Sequence, residues 1–423
     1  MTSSVSLLTA ARVVTCDPAR ITGDNPLGTI DSGGVAVSPS TGQILAVGPA
    51  AELLSRFPHA HREDYPNDVL TPGLVDAHTH AVWVGSRDRE YALRMAGADY
   101  EAIAAAGGGI VSSMRSLRAA TPADIARELE ARVHRMARMG VTTLEVKSGY
   151  GLDQETELKQ LEAIHSLTGA DSASPANSAS RAHTPRLVPT FLGLHALPPE
   201  AKGDRDAYAR RVTSETLPLV AARGLARYAD AYVDRSAFSV AQARPFFERA
   251  RELGLGIRVH AGQFADVGGA ELAAEMSAAS ADHLENVGPT GIARMAEAGV
   301  HAVLLPVASF TLRQDPPPVA ALREAGVRMV VASDANPGTA PTESLPLAMA
   351  LALRMYGLTP AEVLLGVTSH AAASLGLAST TGMLREGLSA DLVVWDLPHE
   401  TALLQPWGVP RTRRVLLAGT ALS

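Results

Sequence analysis

"LTPGLVDAHTHAVWVGSRD", residues 70–88, decides the fold. It begins as a short apolar strand, then sets His78 and His80 one residue apart and Arg87 seven residues further on. Side chains in a strand alternate between faces, so the two imidazoles point one way and Thr79 the other. Such a pair packs poorly and ligates well, but a metal centre needs more than two ligands. The reading therefore turns on whether later strands end in the same way.

Seven more runs rich in Val, Ile and Leu follow, each closed by a polar or Gly-containing turn: VTTLEVK (141–147), LVPTFLGLH (187–195), DAYVD (230–234), GIRVHA (256–261), SADHL (280–284), HAVLLP (301–306) and RMVVASD (328–334). With LVDAHTH (74–80) they make eight. Helical spacing lies between them. DIARELEARVHRMARMG (124–140) keeps Ile125, Leu129 and Val133 on one face, and Gly140 marks its end. Strand and helix alternating eight times predict a parallel (β/α)8 barrel of the TIM type. An open doubly wound sheet is the alternative, but the Gly-rich phosphate turn usual after its first strand is missing.

A barrel brings the same end of every strand to one rim. His78, His80, His260 and Asp334 then form three nitrogens and one oxygen, a set suited to Zn2+ or Fe2+. His283, ending the sixth run, is left nearby as a proton carrier or as a support for the ligands. His59, His61, His134, His301 and His399 read as surface or structural residues, and His370 as a cap or packing residue. Gly107–Gly109 reads as a mobile active-site loop, since no Gly-Lys-Ser/Thr follows. Lys147 is open between a carboxylated bridge in a two-metal site and a structural or substrate-facing lysine.

The ends of the chain read differently. Strand-like stretches in residues 1–68 and 380–423 predict one small β-sandwich domain built from both termini, beside a barrel spanning 69–379. TGADSASPANSASRAHTP (168–185) is Ser/Ala/Pro-rich without a period and reads as a solvated insertion, so His165 and His183 carry no expected chemistry. The composition is 46% apolar, enough for a sizeable core. A net charge of −7 offers no basic face to nucleic acid or an anionic membrane. The single cysteine, Cys16, suits a reducing compartment. Without a secretory signal or a membrane-length apolar run, a cytoplasmic protein is expected.

The motif PGLVDAHTH with later strand-end His, His and Asp resembles the metal-dependent amidohydrolase superfamily. The long stretches GSRDREYALRMAGADYEAIAAAGGGI, TTLEVKSGYGLDQETELK, TFLGLHALPPE, GGAELAAEMSAASADHLE and SDANPGTAPTESLPLAMALA narrow that resemblance to the imidazolonepropionases, over about residues 70–385. The resemblance implies one divalent ion per chain, Zn2+ or Fe2+, on His78, His80, His260 and Asp334. It implies Arg87, Tyr150, His195, Gln263, Asn336, Gly338 and Thr339 as substrate contacts, with Asp334, His283 and His195 catalytic. The implied reaction is hydrolysis of the cyclic amide of 4-imidazolone-5-propanoate to N-formimidoyl-L-glutamate, in a homodimer. Arg87 would hold the carboxylate arm by two parallel hydrogen bonds. Where Gln263 stands, some relatives carry an acid with a proton-transfer role. An amide does not titrate, so that task falls to Asp334 and His283. The competing readings are a purine or pyrimidine deaminase with the same ligand set, a hydantoinase-like enzyme bridged by Lys147, and a silent relative acting in assembly.

Overall fold

The computed structural model describes residues 5–98, 108–168, 184–235, 237–405 and 407–422. Gly107 and most of the 168–185 stretch, His183 included, lie outside them. The chain opens with β1 (Ser6–Val14), β2 (Thr29–Ser38), β3 (Gln43–Pro49) and β4 (His61–Pro72). Eight strands then alternate with helices: β5 (Leu74–Asp76), β6 (Val141–Lys147), β7 (Arg186–Leu194), β8 (Tyr228–Val233), β9 (Gly256–Ala261), β10 (Ser280–His283), β11 (His301–Leu304) and β12 (Met329–Val331). The chain ends with β13 (Leu392–Trp395), β14 (Thr412–Leu417) and β15 (Thr420–Ala421).

β5 to β12 form one sheet in sequence order, and every neighbouring pair is parallel. The predicted eight-stranded barrel is therefore present. Its seam is unusual. β5 stops at Asp76, earlier than the sequence suggests, so His78 and His80 stand just past the ladder. The Asp76 carboxylate crosses the seam and accepts from Ser333 N at 3.1 Å and Ser333 Oγ at 2.5 Å. The backbones meet one step further on, where Asp334 N donates to His78 O at 3.1 Å and His80 N to Ala335 O at 3.0 Å. A side chain thus does at the closure what ladder bonds do elsewhere.

The helix Pro122–Ala137 begins in a capping box between Thr121 and Asp124 and buries Ile125, Leu129 and Val133, the predicted face. Gly140, after it, has φ +92°, and a Cβ there would lie 2.5 Å from the Trp395 ring. Only glycine accepts both the left-handed turn and the indole.

The two termini build one seven-stranded sheet in the order β15-β14-β13-β4-β1-β2-β3, with β1 and β4 parallel and the other pairs antiparallel. The sheet folds over, so that Ile44 on β3 exchanges backbone hydrogen bonds with Gly387 and Leu388 just before β13. Leu8, Val35, Val37, Ile44, Leu70, Leu392 and Val394 fill its inside. β4 passes into β5 at Gly73, which carries the chain from this sheet to the barrel.

Candidate active site

The strand ends converge as expected. The His78 ring centroid lies 5.3 Å from that of His80 and 4.7 Å from that of His260. One ring nitrogen of each of these three lies within 4.8 Å of the others. Asp334 Oδ1 is 3.4 Å from Nε2 of both His78 and His80. The residue before the site is strained: Asp334 has φ +53°, which aims its carboxylate back at the histidines.

The tautomers are set from behind. His78 Nδ1 meets Asp282 Oδ2 at 2.7 Å and His260 Nδ1 meets Asp230 Oδ1 at 3.1 Å. An ionised carboxylate only accepts, so each Nδ1 carries the proton and each Nε2 presents a lone pair. Nε2 of His78 and of His260 is buried without a hydrogen-bond partner among the described residues. A buried lone pair left alone is costly, and two within one cluster of three imidazoles are what a cation would satisfy. The donor set therefore fits a divalent metal. Burial holds His78 and His80 neutral by pushing their pKa values well below the usual imidazole range, as ligation requires. Burial also raises the Asp334 carboxyl well above its ordinary range, a penalty that a bound cation would remove.

Under the histidines lies a charge network that the sequence reading missed. Glu145, Lys147, Asp230, Arg258 and Asp282 are all fully buried. Lys147 Nζ donates to Glu145 at 2.8 Å and to Asp230 at 2.9 Å, and lies 3.6 Å from Asp282. Arg258 reaches Asp282 at 3.7 Å and donates to the carbonyls of Ala77 and Ser374. Burial alone would lower the Lys147 pKa, but Asp230 and Glu145 outweigh it and raise it. The charged ammonium is therefore the favoured form. Asp230, His260 and Asp282 form a second group spaced for a cation, and Lys147 stands among its carboxylates. These ion pairs favour the structural reading of Lys147 over a carboxylated bridge.

His80, His260 and Asp334 line a cavity of about 510 Å³ together with Arg87, Tyr150, His195, Gln263, His283, Asn336 and Thr339. Ile110, Tyr232 and Phe264 complete it and were not singled out in the sequence. His78 and Gly338 are not in the lining, and Gly338 packs against the Arg87 guanidinium. His195 Nδ1 donates to Gly149 O at 2.7 Å, which leaves Nε2 for the cavity. Burial, with His260 adding, pushes its pKa down to about 3, so the ring is neutral. The loop carrying Gly149 and Tyr150 is pinned by buried Glu157, which accepts from the amides of Gly149, Gly151 and Leu152 at 2.7–2.9 Å. Gln263 Oε1 accepts from Tyr232 OH at 2.7 Å. The Asn336 amide is spent on its own turn. Its oxygen accepts from Gly338 N and Thr339 N, and its nitrogen donates to Asp334 O. Asn336 thus shapes the loop that aims Asp334.

His283 and Leu284 both have positive φ, +83° and +71°. His283 Nδ1 and Glu285 Oε2 are 3.9 Å apart, each buried without a hydrogen bond among the described residues. Ser309 Oγ donates to the other Glu285 oxygen at 2.6 Å. Away from the site, His59, His61 and His399 are exposed, while His301 and His370 bond to the carbonyls of Ala279 and Met329.

Comparison with known proteins identifies the family and the fold. The amidohydrolase family model matches residues 69–420. An imidazolonepropionase of Bradyrhizobium diazoefficiens is 44% identical over 400 residues, covering 94% of this chain and 96% of the relative. One from Geobacillus kaustophilus is 41% identical over 397 residues, covering 93% and 90%. Among solved structures, a zinc-bound adenosine deaminase from Xanthomonas campestris superposes with a TM-score of 0.68 at 20% identity, covering 98% of this chain and 92% of that one. A triazine hydrolase variant does so with a TM-score of 0.73 at 18% identity, covering 99% and 94%. At such identities the two structures speak for the fold alone.

Proposed function

We infer how this site works from one premise: the chain belongs to the amidohydrolase family and, within it, to the imidazolonepropionases. It is a hydrolase that opens the cyclic amide C–N bond of 4-imidazolone-5-propanoate, giving N-formimidoyl-L-glutamate. The division of labour among its residues is our proposal, and one observation carries it. Three imidazoles and a carboxylate gather at the floor of a cavity that has an arginine in its wall.

His78, His80, His260 and Asp334 would hold the metal, Zn2+ or Fe2+, one per chain. When bound, it supplies a Lewis acid and water acidified to a pKa near ~7. Arg87 grips the carboxylate arm, and Tyr150 and Thr339 flank the heterocycle. His195 is neutral with its proton on Nδ1, so its Nε2 accepts from a ring N–H and orients the substrate. The donor to the developing oxyanion is then His283, a contribution of roughly 3 kcal/mol for one such group. Asp334 takes the proton from water, and Asp334 or His283 passes one to the leaving ring nitrogen. Gln263, steadied by Tyr232, orients substrate or water and moves no proton. A homodimer in the cytoplasm completes the reading. Among the described residues no helix is long and apolar enough to cross a membrane.

The test is turnover of 4-imidazolone-5-propanoate by metal-loaded protein, with Asp334→Ala beside it. The wild type should form N-formimidoyl-L-glutamate, and the folded variant should lose at least about a thousandfold in kcat. Full activity in Asp334→Ala would refute the assignment of that carboxylate.

A further inference from the structure

We propose that Glu90 sets the charge specificity of the site by holding Arg87 so that both its terminal nitrogens form a fork for the substrate's carboxylate arm. The proposal rests on the imidazolonepropanoate reading above.

A single oxygen of Glu90 carries the brace. Its Oε2 accepts from Arg87 Nε at 2.8 Å and from Gly109 N at 2.9 Å. Glu90 lies on the helix Asp88–Met95, directly after Arg87, while Gly109 precedes the helix Ile110–Ala119. A glutamate at this position of a helix usually reaches back to the backbone N–H at the helix start. Here it instead takes a side chain and an amide from another element. Both Arg87 and Glu90 are buried, so the pair is not a solvent-screened surface bridge.

The geometry of the guanidinium decides what it can bind. Glu90 takes the Nε edge. Among the described residues neither Nη makes a hydrogen bond, and Arg87 lines the cavity. Gly338 packs against the guanidinium: a Cβ there would fall 2.3 Å from Nη1 and 2.7 Å from Cζ, so only glycine leaves the group room. Arg94 holds that glycine in place through its carbonyl at 2.7 Å. With Gly338 packed against it and its Nε tied to Glu90, the planar group keeps two parallel N–H donors for a ligand, the pattern that matches a carboxylate and not a neutral group. Without Glu90 the charge of Arg87 remains, but its orientation does not.

The experiment compares 4-imidazolone-5-propanoate with 4-imidazolone lacking the propanoate arm, in wild type, Glu90→Ala and Glu90→Gln. Circular dichroism and metal content confirm that each variant is folded and loaded. For the propanoate, Glu90→Ala should raise KM by about tenfold or more with kcat within about twofold, the mark of an interaction made equally in ground and transition states. For the armless substrate, kcat/KM should not change. In an Arg87→Met background, Glu90→Ala should add less than about twofold, because the two act as a unit. Equal losses on both substrates, or an unchanged KM for the propanoate, would overturn the role of Glu90 while leaving the reaction assignment standing. If the wild type fails to turn over the propanoate at all, the reaction reading falls and this proposal with it. If Glu90→Ala does not fold, Glu90→Gln decides alone. The glutamine keeps an acceptor but loses the charge, and it should show a smaller KM rise on the propanoate only.

Discussion

The floor and the wall of the cavity are held by different means. Beneath the floor, Lys147 and Arg258 face Glu145, Asp230 and Asp282, all fully buried, and the chain of contacts runs unbroken to the Nε2 lone pairs of His78 and His260. In the wall, Arg87, His195 and Gln263 each rest on one hydrogen bond, to Glu90, Gly149 and Tyr232. A metal must be bound in one geometry. Ion pairs in a dry interior achieve that, because removing either partner strands the other in low dielectric. A substrate must enter and leave, and single contacts permit it. Stability and metal affinity should therefore answer to the floor, and substrate preference to the wall.

The strongest challenge to this contrast is Lys147→Met. It leaves Glu145 and Asp230 without their ammonium, and it should lower the unfolding free energy by about 3–5 kcal/mol in urea denaturation of metal-free protein. A loss below about 1 kcal/mol would mean that the floor is not electrostatically locked.

Glu285 sharpens the contrast from the other side, as a buried carboxyl beside the wall residue His283 that pairs with no Lys or Arg among the described residues. Burial lifts its pKa from 4.5 to about 7. An acid whose folded pKa is raised contributes its stability in full below the unfolded value of 4.5 and loses it as pH rises through about 7. Metal-free wild type should therefore lose up to about 3 kcal/mol between these pH values that Glu285→Gln does not lose. Parallel stability curves for the two proteins would remove Glu285 as the source.

Next in size, Asp230→Asn and Asp282→Asn should each weaken metal binding by about 10–100-fold in chelator competition, because they free the imidazole each carboxylate fixes. Gln263→Ala, in the wall, should leave metal affinity unchanged. If all three behave alike, the floor and the wall are not separate. The smallest effect is expected of Tyr232→Phe, which releases Gln263. A drop in kcat/KM of less than about tenfold with an unaltered melting temperature would match one neutral hydrogen bond.

The barrel was legible because eight apolar runs recur with helices between them, and the candidate metal ligands because His78, His80, His260 and Asp334 each close such a run. The supports were harder to see. Strands of a parallel barrel are covered on both faces, so nothing in VTTLEVK or SADH tells an inward charge from an outward one. Glu145, Asp230 and Asp282 passed as ordinary strand residues. Lys147 could be assigned only once its partners, far off in sequence, were in place. Asp76 looked like one more strand residue because a side chain that replaces ladder bonds leaves no periodic mark. Glu90 sits in the charge-dense stretch SRDREYALR, and one of its two partners, the amide of Gly109, lies far along the chain. Asn336, expected to contact substrate, lines the cavity, and its amide also braces its own turn, a support that no periodic pattern shows.

The pairing of β13 with β4 sets an order of events during synthesis. Val69–Pro72 leads through Gly73 into the segment bearing His78 and His80, and it is clamped by Leu392–Trp395, with the Trp395 indole donating to Thr71 at 2.9 Å. A ribosome must therefore add some three hundred further residues before the first ligand-bearing segment gains its last neighbour. So large a separation in contact order favours slow closure, with the edge of β4, just ahead of the barrel, exposed to wrong partners in the meantime. Removing β13 should yield nascent chains that collapse yet fail to retain metal, and whose β4 edge remains open to proteolysis.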